Sequence, residues 1–75
     1  MKSIERRFKR ITKRNPYWSS YVCFWSTVRY QRFTKKTISI WFNKLVDKDD
    51  YSKSDKKACI SHMMEATNEP YEGKK

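Results

Sequence analysis

Six residues between positions 36 and 44 have side chains that can contact an anionic ligand or the edges of its bases. They comprise two ammonium groups, two hydroxyls, one amide and one aliphatic group: Lys36, Thr37, Ser39, Ile40, Asn43 and Lys44. The segment contains no carboxylate. Such a set suits a polyanion whose edges present hydrogen-bond donors and acceptors, and double-stranded DNA is the leading candidate. An ordinary solvated helix face explains the same residues, and this segment alone does not decide between the two.

The apolar residues of the same segment predict the helix that would carry these side chains. A helix packed against a core has apolar residues at i, i+3, i+4 and i+7, and here they are Ile38, Trp41, Phe42 and Leu45. Thr34 is placed to cap the N-terminus of this helix. Ile40 lies on the polar face and needs a partner, which is a thymine methyl, another protein or the last helix of the chain.

Positive charge is concentrated in the first part of the chain. The net charge of the 75 residues is +10, and residues 1–44 hold twelve Lys or Arg against one acid, Glu5. Residues 45–75 hold six Lys against seven acids. This asymmetry favours an anionic partner, with nucleic acid first and an anionic membrane surface second.

A basic helix is predicted near the N-terminus, from Ser3 as a possible N-cap to about Arg14. Its inward positions at helical spacing are Ile4, Phe8 and Ile11. The cations on its other side repel one another unless phosphates neutralise them, although a solvated face is the alternative. Together with three cations next to the helix that follows Thr34, they form the predicted phosphate contacts: Arg6, Lys9, Arg10, Lys13, Arg29, Arg32 and Lys35.

Two further helices complete the predicted fold. One is capped by Ser19 or Ser20, runs to about Gln31, and has an inner stripe at Tyr21, Phe24, Trp25 and Val28. Tyr17 and Trp18 are expected to close the edge of the core before it. The other is capped by Ser52 or Ser54, runs to about Thr67, and has an inner stripe at Ile60, Met63, Met64 and Thr67.

The chain as a whole is predicted to be all-α. A single Gly and two Pro argue against a sheet rich in hairpins. We expect a three-helix helix-turn-helix core with a fourth C-terminal helix packed on it, in one domain of residues 1–67. Residues 68–75 are expected to form a flexible tail, and residues 47–57 a polar loop.

The segment F-T-K-K-T-I-S-I-W-F-N, Phe33 to Asn43, resembles the start of the recognition helix of homeodomains. The resemblance implies a three-helix core, with this helix in the major groove of DNA and Ile40 and Asn43 facing base edges. Homeodomains continue with an adenine-reading Asn and several arginines, whereas this chain has Lys44, Leu45 and Val46 followed by acids. The resemblance is therefore to the broad homeodomain-like helix-turn-helix class.

The turn before this segment lacks the customary glycine of a helix-turn-helix unit. Residues 30–32 are Tyr, Gln and Arg. A residue with a Cβ atom in the left-handed conformation costs about 1 kcal/mol. Either the turn is built differently, or the chain carries this strain.

The sequence gives little support for catalysis or metal binding. Cys59 and His62 are three residues apart and Cys23 is a conceivable third ligand, but Cys23 and His62 are predicted to point away from the core stripes. We therefore predict no enzyme activity, no cofactor and no metal. No secretory signal or apolar run of about 18 residues is visible, so we expect an intracellular protein, cytoplasmic or in the nucleoid or nucleus.

Together these features predict a small basic protein that binds double-stranded DNA, with helix 34–46 in the major groove. It would be regulatory, and either a monomer or a homodimer. The alternative is a protein-interaction module, an adaptor or inhibitor that presents the same basic face to an acidic protein. Its apolar anchors would be Ile40, Tyr30, Met63 and Met64. RNA binding is a third possibility.

Overall fold

Four α-helices and one short 3-10 turn form the part of the chain that the computed structural model describes, residues 2–51 and 56–69. The helices are α1 (Lys2–Arg14), α2 (Ser20–Val28), α3 (Lys35–Leu45) and α4 (Lys56–Asn68), and the 3-10 turn is Lys48–Asp50. The all-α prediction is confirmed, and α4 packs on α2 and α3 as expected. Within these residues, no helix has the length and apolar character needed to cross a membrane.

The core receives side chains from all four helices. Phe24 of α2 lies at its centre, with ring centroids 5.7 Å from Phe42 of α3 and 6.5 Å from Phe8 of α1. Tyr51 extends this row of rings, with its centroid 4.9 Å from that of Phe42. The other buried apolar residues are Ile4, Cys23, Val28, Ile38, Val46, Cys59, Ile60, Met63 and Ala66. Each predicted inner stripe therefore supplies buried residues to one shared core.

Two helix caps agree with the sequence prediction. The Ser19 hydroxyl accepts the N–H of Val22 at the start of α2, at 3.2 Å. The Thr34 hydroxyl accepts the N–H of Thr37 at the start of α3, also at 3.2 Å. The predicted N-cap of α1 is wrong, because the helix already includes Lys2 and Ser3 therefore lies inside it. The predicted caps of α4, Ser52 and Ser54, lie outside the described residues.

Predictions for the region around α2 were partly wrong. The helix ends at Val28 instead of about Gln31. Cys23 is completely buried, although it was predicted to point away from the core. Tyr17 is 98% exposed and Trp18 is 47% exposed, so neither closes the core edge. The N-terminal half of the core is closed instead by α1, which packs along α2.

The segment after α3 is attached to α2, although it was predicted to be a solvated loop. The Asp50 carboxylate accepts the Ser20 N–H at 2.8 Å and also the Ser20 hydroxyl proton. That hydroxyl in turn accepts the Asp47 N–H at 2.7 Å. A carboxylate is favourable here because the first turn of a helix carries unpaired N–H groups and positive partial charge. These bonds fix the exit of α3 against the start of α2.

The turn between α2 and α3, residues 29–34, is bound to the C-terminal end of α4. The Tyr30 N–H donates to the Ala66 carbonyl at 3.0 Å, and the Arg32 N–H donates to the Thr67 carbonyl at 2.7 Å. The Phe33 N–H donates to the Thr67 hydroxyl at 2.8 Å. Tyr30 (φ 67°) and Arg32 (φ 57°) are both left-handed, so the turn carries the strain that its missing glycine implies. The bonds to α4 also explain why α2 stops at Val28.

The first two residues of the predicted tail, Asn68 and Glu69, lie next to the α2–α3 turn. Asn68 is the last residue of α4, and the Glu69 carboxylate lies 2.9 Å from Nε of Arg29. The rest of the predicted tail, residues 70–75, lies outside the described residues.

Replacing Thr67 tests how much this attachment stabilises the fold. Thr67 is completely buried, and Thr67→Val removes the acceptor for the Phe33 N–H while keeping the shape of the side chain. We expect a loss of about 1–3 kcal/mol in the free energy of unfolding, measured by urea denaturation. Thr67→Ser keeps the hydroxyl and serves as the control, with a smaller expected loss. A loss below about 0.5 kcal/mol in Thr67→Val would show that the hydroxyl bond contributes little.

Candidate nucleic-acid interface

The outward face of α3 consists of four exposed side chains. Lys36, Ile40, Asn43 and Lys44 are all exposed and lie opposite the buried Ile38. Ile40 is 43% exposed, so the described residues of α4 do not cover it. Lys44 is held close to the helix, because its ammonium group lies 4.9 Å from the centroid of the Trp41 ring. These four residues of the predicted base-facing set form one continuous surface.

The remaining two predicted base-facing residues lie at the edges of this surface. Thr37 is half-buried, and its hydroxyl oxygen lies 3.0 Å from that of Thr34, within the cap of α3. Ser39 is half-buried at the other edge, in a cleft of about 460 Å³ between α3 and α4. Lys35, a predicted phosphate contact, lines the same cleft. Thr37 and Ser39 therefore flank the exposed face and are less accessible than its centre.

The predicted phosphate contacts of α1 fall into two groups. Arg6 and Arg10 line a cavity that α1 shares with the α2–α3 turn. The Lys9 ammonium group instead pairs with the Glu5 carboxylate at 3.5 Å, one turn earlier on α1. Lys13 is exposed near the end of the helix. The arginines are thus next to the turn that leads into α3, whereas Lys9 is partly neutralised.

Arg29 is the predicted phosphate contact with the most intramolecular partners. Besides the ion pair with Glu69, its guanidinium carbon lies 4.3 Å from the Trp25 ring centroid and 4.7 Å from the Tyr30 ring centroid. These contacts connect the end of α2 to the residue after α4. We infer that Arg29 acts mainly in holding these segments together. Arg32, by contrast, has an exposed side chain on the turn.

Four residues at these surfaces were missing from the predicted site. Arg7 and Gln31 line the cavity with Arg6 and Arg10, and Lys56 and Lys57 line the cleft with Lys35. Helical periodicity indicates only that Arg7 lies between the apolar and basic sides of α1. Lys56 and Lys57 fall within the predicted polar loop, whereas the structure places them in the first turn of α4. Only the packing of the helices brings these residues to the site.

Comparisons with protein-family models, curated proteins and solved structures find no match to this chain. The resemblance of Phe33–Asn43 to homeodomains therefore stays a prediction. Function has to be inferred from the side chains and their geometry.

The residues considered for a metal site have other partners. His62 stacks on Tyr21, with centroids 6.0 Å apart, and its Nδ1 lies 3.0 Å from the Tyr21 hydroxyl. Cys23 is completely buried and Cys59 nearly so. Among residues 2–51 and 56–69, no group of three or more His, Cys, Asp or Glu side chains is arranged to hold a metal ion.

Tyr21 has the one resolved pKa shift among the described residues. Burial raises its pKa from 10.0 to about 12, and a hydrogen bond and charge interaction with Cys59 add to the shift. Its ring also packs edge-on against Phe42, with centroids 6.0 Å apart. The neutral phenol therefore joins α2 to both α3 and α4.

The raised pKa predicts a loss of stability at high pH. Between pH 10 and 12 the unfolded chain releases the Tyr21 proton while the folded chain keeps it, so the free energy of unfolding falls as pH rises through this range. In Tyr21→Phe this contribution is absent, and we expect a shallower fall. Urea denaturation at pH 9, 10, 11 and 12 measures both slopes, and parallel curves would contradict the assigned shift. Tyr17→Phe, at an exposed tyrosine, is the matched control.

Proposed function

We propose that this chain binds double-stranded DNA as a small helix-turn-helix regulator, with α3 in the major groove. The observation that carries the proposal is the outward face of α3, where exposed Lys36, Ile40, Asn43 and Lys44 form a surface without a carboxylate. An amide can pair with a base edge, and an aliphatic group can contact a thymine methyl. Nothing in the described core accounts for Ile40, which is 43% exposed.

The dimensions of α3 support this assignment. An α-helix with its side chains is about 10–12 Å across, which fits the width of the major groove, about 12 Å, and the 11 residues of α3 extend for about 16 Å. The N-terminal end carries Lys35 and Lys36, whereas Asp47 and Asp49 follow the C-terminal end. Phosphates attract the first pair and repel the second. We infer that α3 lies in the groove with Lys35 and Lys36 beside the DNA backbone, and that the acidic segment after Leu45 is directed away from it.

The surrounding cations supply attraction that does not depend on base sequence. Exposed cations lie on α1, on the turn and at the start of α3, and they are Arg6, Arg10, Arg32 and Lys35. Each phosphate that such a group neutralises releases condensed counterions, so binding should weaken steeply as salt increases. Phosphate contacts of this kind set the position of a protein on the duplex, and base contacts then set its specificity.

The alternative, an adaptor or inhibitor that binds an acidic protein, receives less support. Two of its proposed anchors are poorly placed, because Met63 has no exposed surface and Met64 is half-buried. Ile40 remains available to such a partner. RNA binding uses the same charges, but the deep, narrow major groove of an A-form duplex does not admit a helix such as α3.

Binding to three nucleic-acid probes separates these functions. We expect fluorescence anisotropy to show tight binding to a random DNA duplex, weaker binding to a single strand and to an RNA hairpin, and a steep loss of duplex affinity between 50 and 200 mM salt, because cationic side chains displace counterions. A partner held mainly through apolar anchors would show little dependence on salt. No binding to any probe at 50 mM salt would refute the proposal.

Two substitutions separate base recognition from phosphate binding. After a preferred site has been selected from random duplexes, Asn43→Ala should reduce discrimination at one or two positions of that site, by about tenfold or more. Arg10→Ala should weaken binding to all sequences alike and reduce the salt slope by about 1. Asn68→Ala, at an exposed amide on α4, is the control and should change neither property. Equal, sequence-independent losses from Asn43→Ala and Arg10→Ala would contradict the recognition role of α3.

A further inference from the structure

A cavity of about 210 Å³ lies between α1 and the α2–α3 turn. Ile4, which is almost completely buried, and Phe33, which is half-buried, supply its apolar wall. The exposed residues around it are Arg6, Arg7, Arg10 and Gln31. Three arginines of a single helix thus line one space.

The described ion pairs leave these three arginines without a carboxylate. Within residues 2–51 and 56–69, the ion pairs are Lys9–Glu5 and Arg29–Glu69. No acidic residue lines the cavity. Arg10 follows Arg6 by four residues and Arg7 by three, and like charges at these helical spacings repel one another. The free protein therefore bears a repulsion that an anion in the cavity would relieve.

The polar groups of the cavity determine which kind of ligand it can bind. The Thr27 side chain is completely buried and its hydroxyl donates to the Cys23 carbonyl at 2.7 Å, so its proton is already used. The Gln31 amide nitrogen donates to the Arg29 carbonyl at 3.2 Å. Guanidinium groups only donate hydrogen bonds, in a planar fork that matches the oxygens of a phosphate. The ligand that fits has several acceptor oxygens and negative charge.

We propose that this cavity binds one phosphate group, held by Arg6, Arg7 and Arg10. We assign this phosphate to the backbone of the bound DNA, and this assignment rests on the proposed function. Phe33 belongs to the cavity wall and Lys35 is the first residue of α3, so a phosphate in the cavity lies beside the N-terminal end of the recognition helix. The contact would fix the position of α3 along the groove.

Arg7 provides the sharpest test, because it lines the cavity but is not among the phosphate contacts predicted from the sequence. Arg14 is an exposed arginine on the same helix that does not line the cavity, so Arg14→Ala is the matched control. We expect Arg7→Ala to weaken duplex binding about tenfold and to lower the salt slope by about 1, as for the loss of one charge-assisted phosphate contact. Arg14→Ala should weaken binding no more than about twofold. Circular dichroism verifies that both variants remain folded.

Titration with inorganic phosphate tests the cavity without DNA. At constant ionic strength, with chloride as the comparison anion, we expect saturable shifts of the Arg7 and Arg10 Nε–H signals in NMR spectra. These shifts should persist in Arg14→Ala, and the Arg10 shift should weaken in Arg7→Ala. Arg7→Lys keeps the charge but lacks the planar fork, and we expect it to bind phosphate less tightly than the wild type.

The two measurements separate failure of the site from failure of the proposed function. Equal losses of duplex affinity in Arg7→Ala and Arg14→Ala, with no selective response to phosphate, would overturn the site while duplex binding itself stands. Saturable phosphate binding that depends on Arg7, in a protein that binds no duplex, would support the site and assign it to free phosphate esters, and the DNA function would fail.

Discussion

The placement of α3 depends on the hydrogen bonds between the α2–α3 turn and the end of α4. The last carbonyls of a helix have no partner within the helix, and here Ala66 and Thr67 accept N–H groups from Tyr30 and Arg32. The turn gains bonds that offset two left-handed residues, each of which costs about 1–2 kcal/mol. The Ala66 carbonyl also accepts the Glu69 N–H at 3.3 Å, so the turn supplies its second partner. The direction in which α3 leaves the turn is fixed by the same bonds.

Several acidic residues in the described part of the chain have partners within the molecule. Asp50 binds the start of α2, Glu69 binds Arg29, and Glu5 binds Lys9. None of these carboxylates lines the cavity between α1 and the turn. Arg6, Arg7 and Arg10 consequently lie together without an acidic neighbour at the cavity. The excess of cations in the first part of the sequence thus includes three arginines that line one cavity.

Local patterns predicted the helices well because apolar spacing and caps act over only a few residues. The stripe from Ile38 to Leu45 and the cap at Thr34 needed no knowledge of distant residues. The end of α2 was misplaced because its turn is bound by Thr67, which is 34 residues from Phe33 in the chain. Arg7 was missed for the same reason, since periodicity gives its angle on α1 but not the turn that lies opposite. Whether α3 reads DNA remains a prediction, because neither spacing nor packing identifies a ligand.

The strained turn also determines how a phosphate site and a base-reading face would act together. Gln31 lies between the two left-handed residues and lines the cavity, while Phe33 joins the cavity wall to the start of α3. A phosphate held by α1 and a base held by α3 would therefore be related through a turn in which the backbone N–H groups of Tyr30, Arg32 and Phe33 donate to α4. A small shift of this turn would move one contact relative to the other. In this arrangement α4 needs no contact with DNA to influence recognition, since it sets the geometry of both contacts.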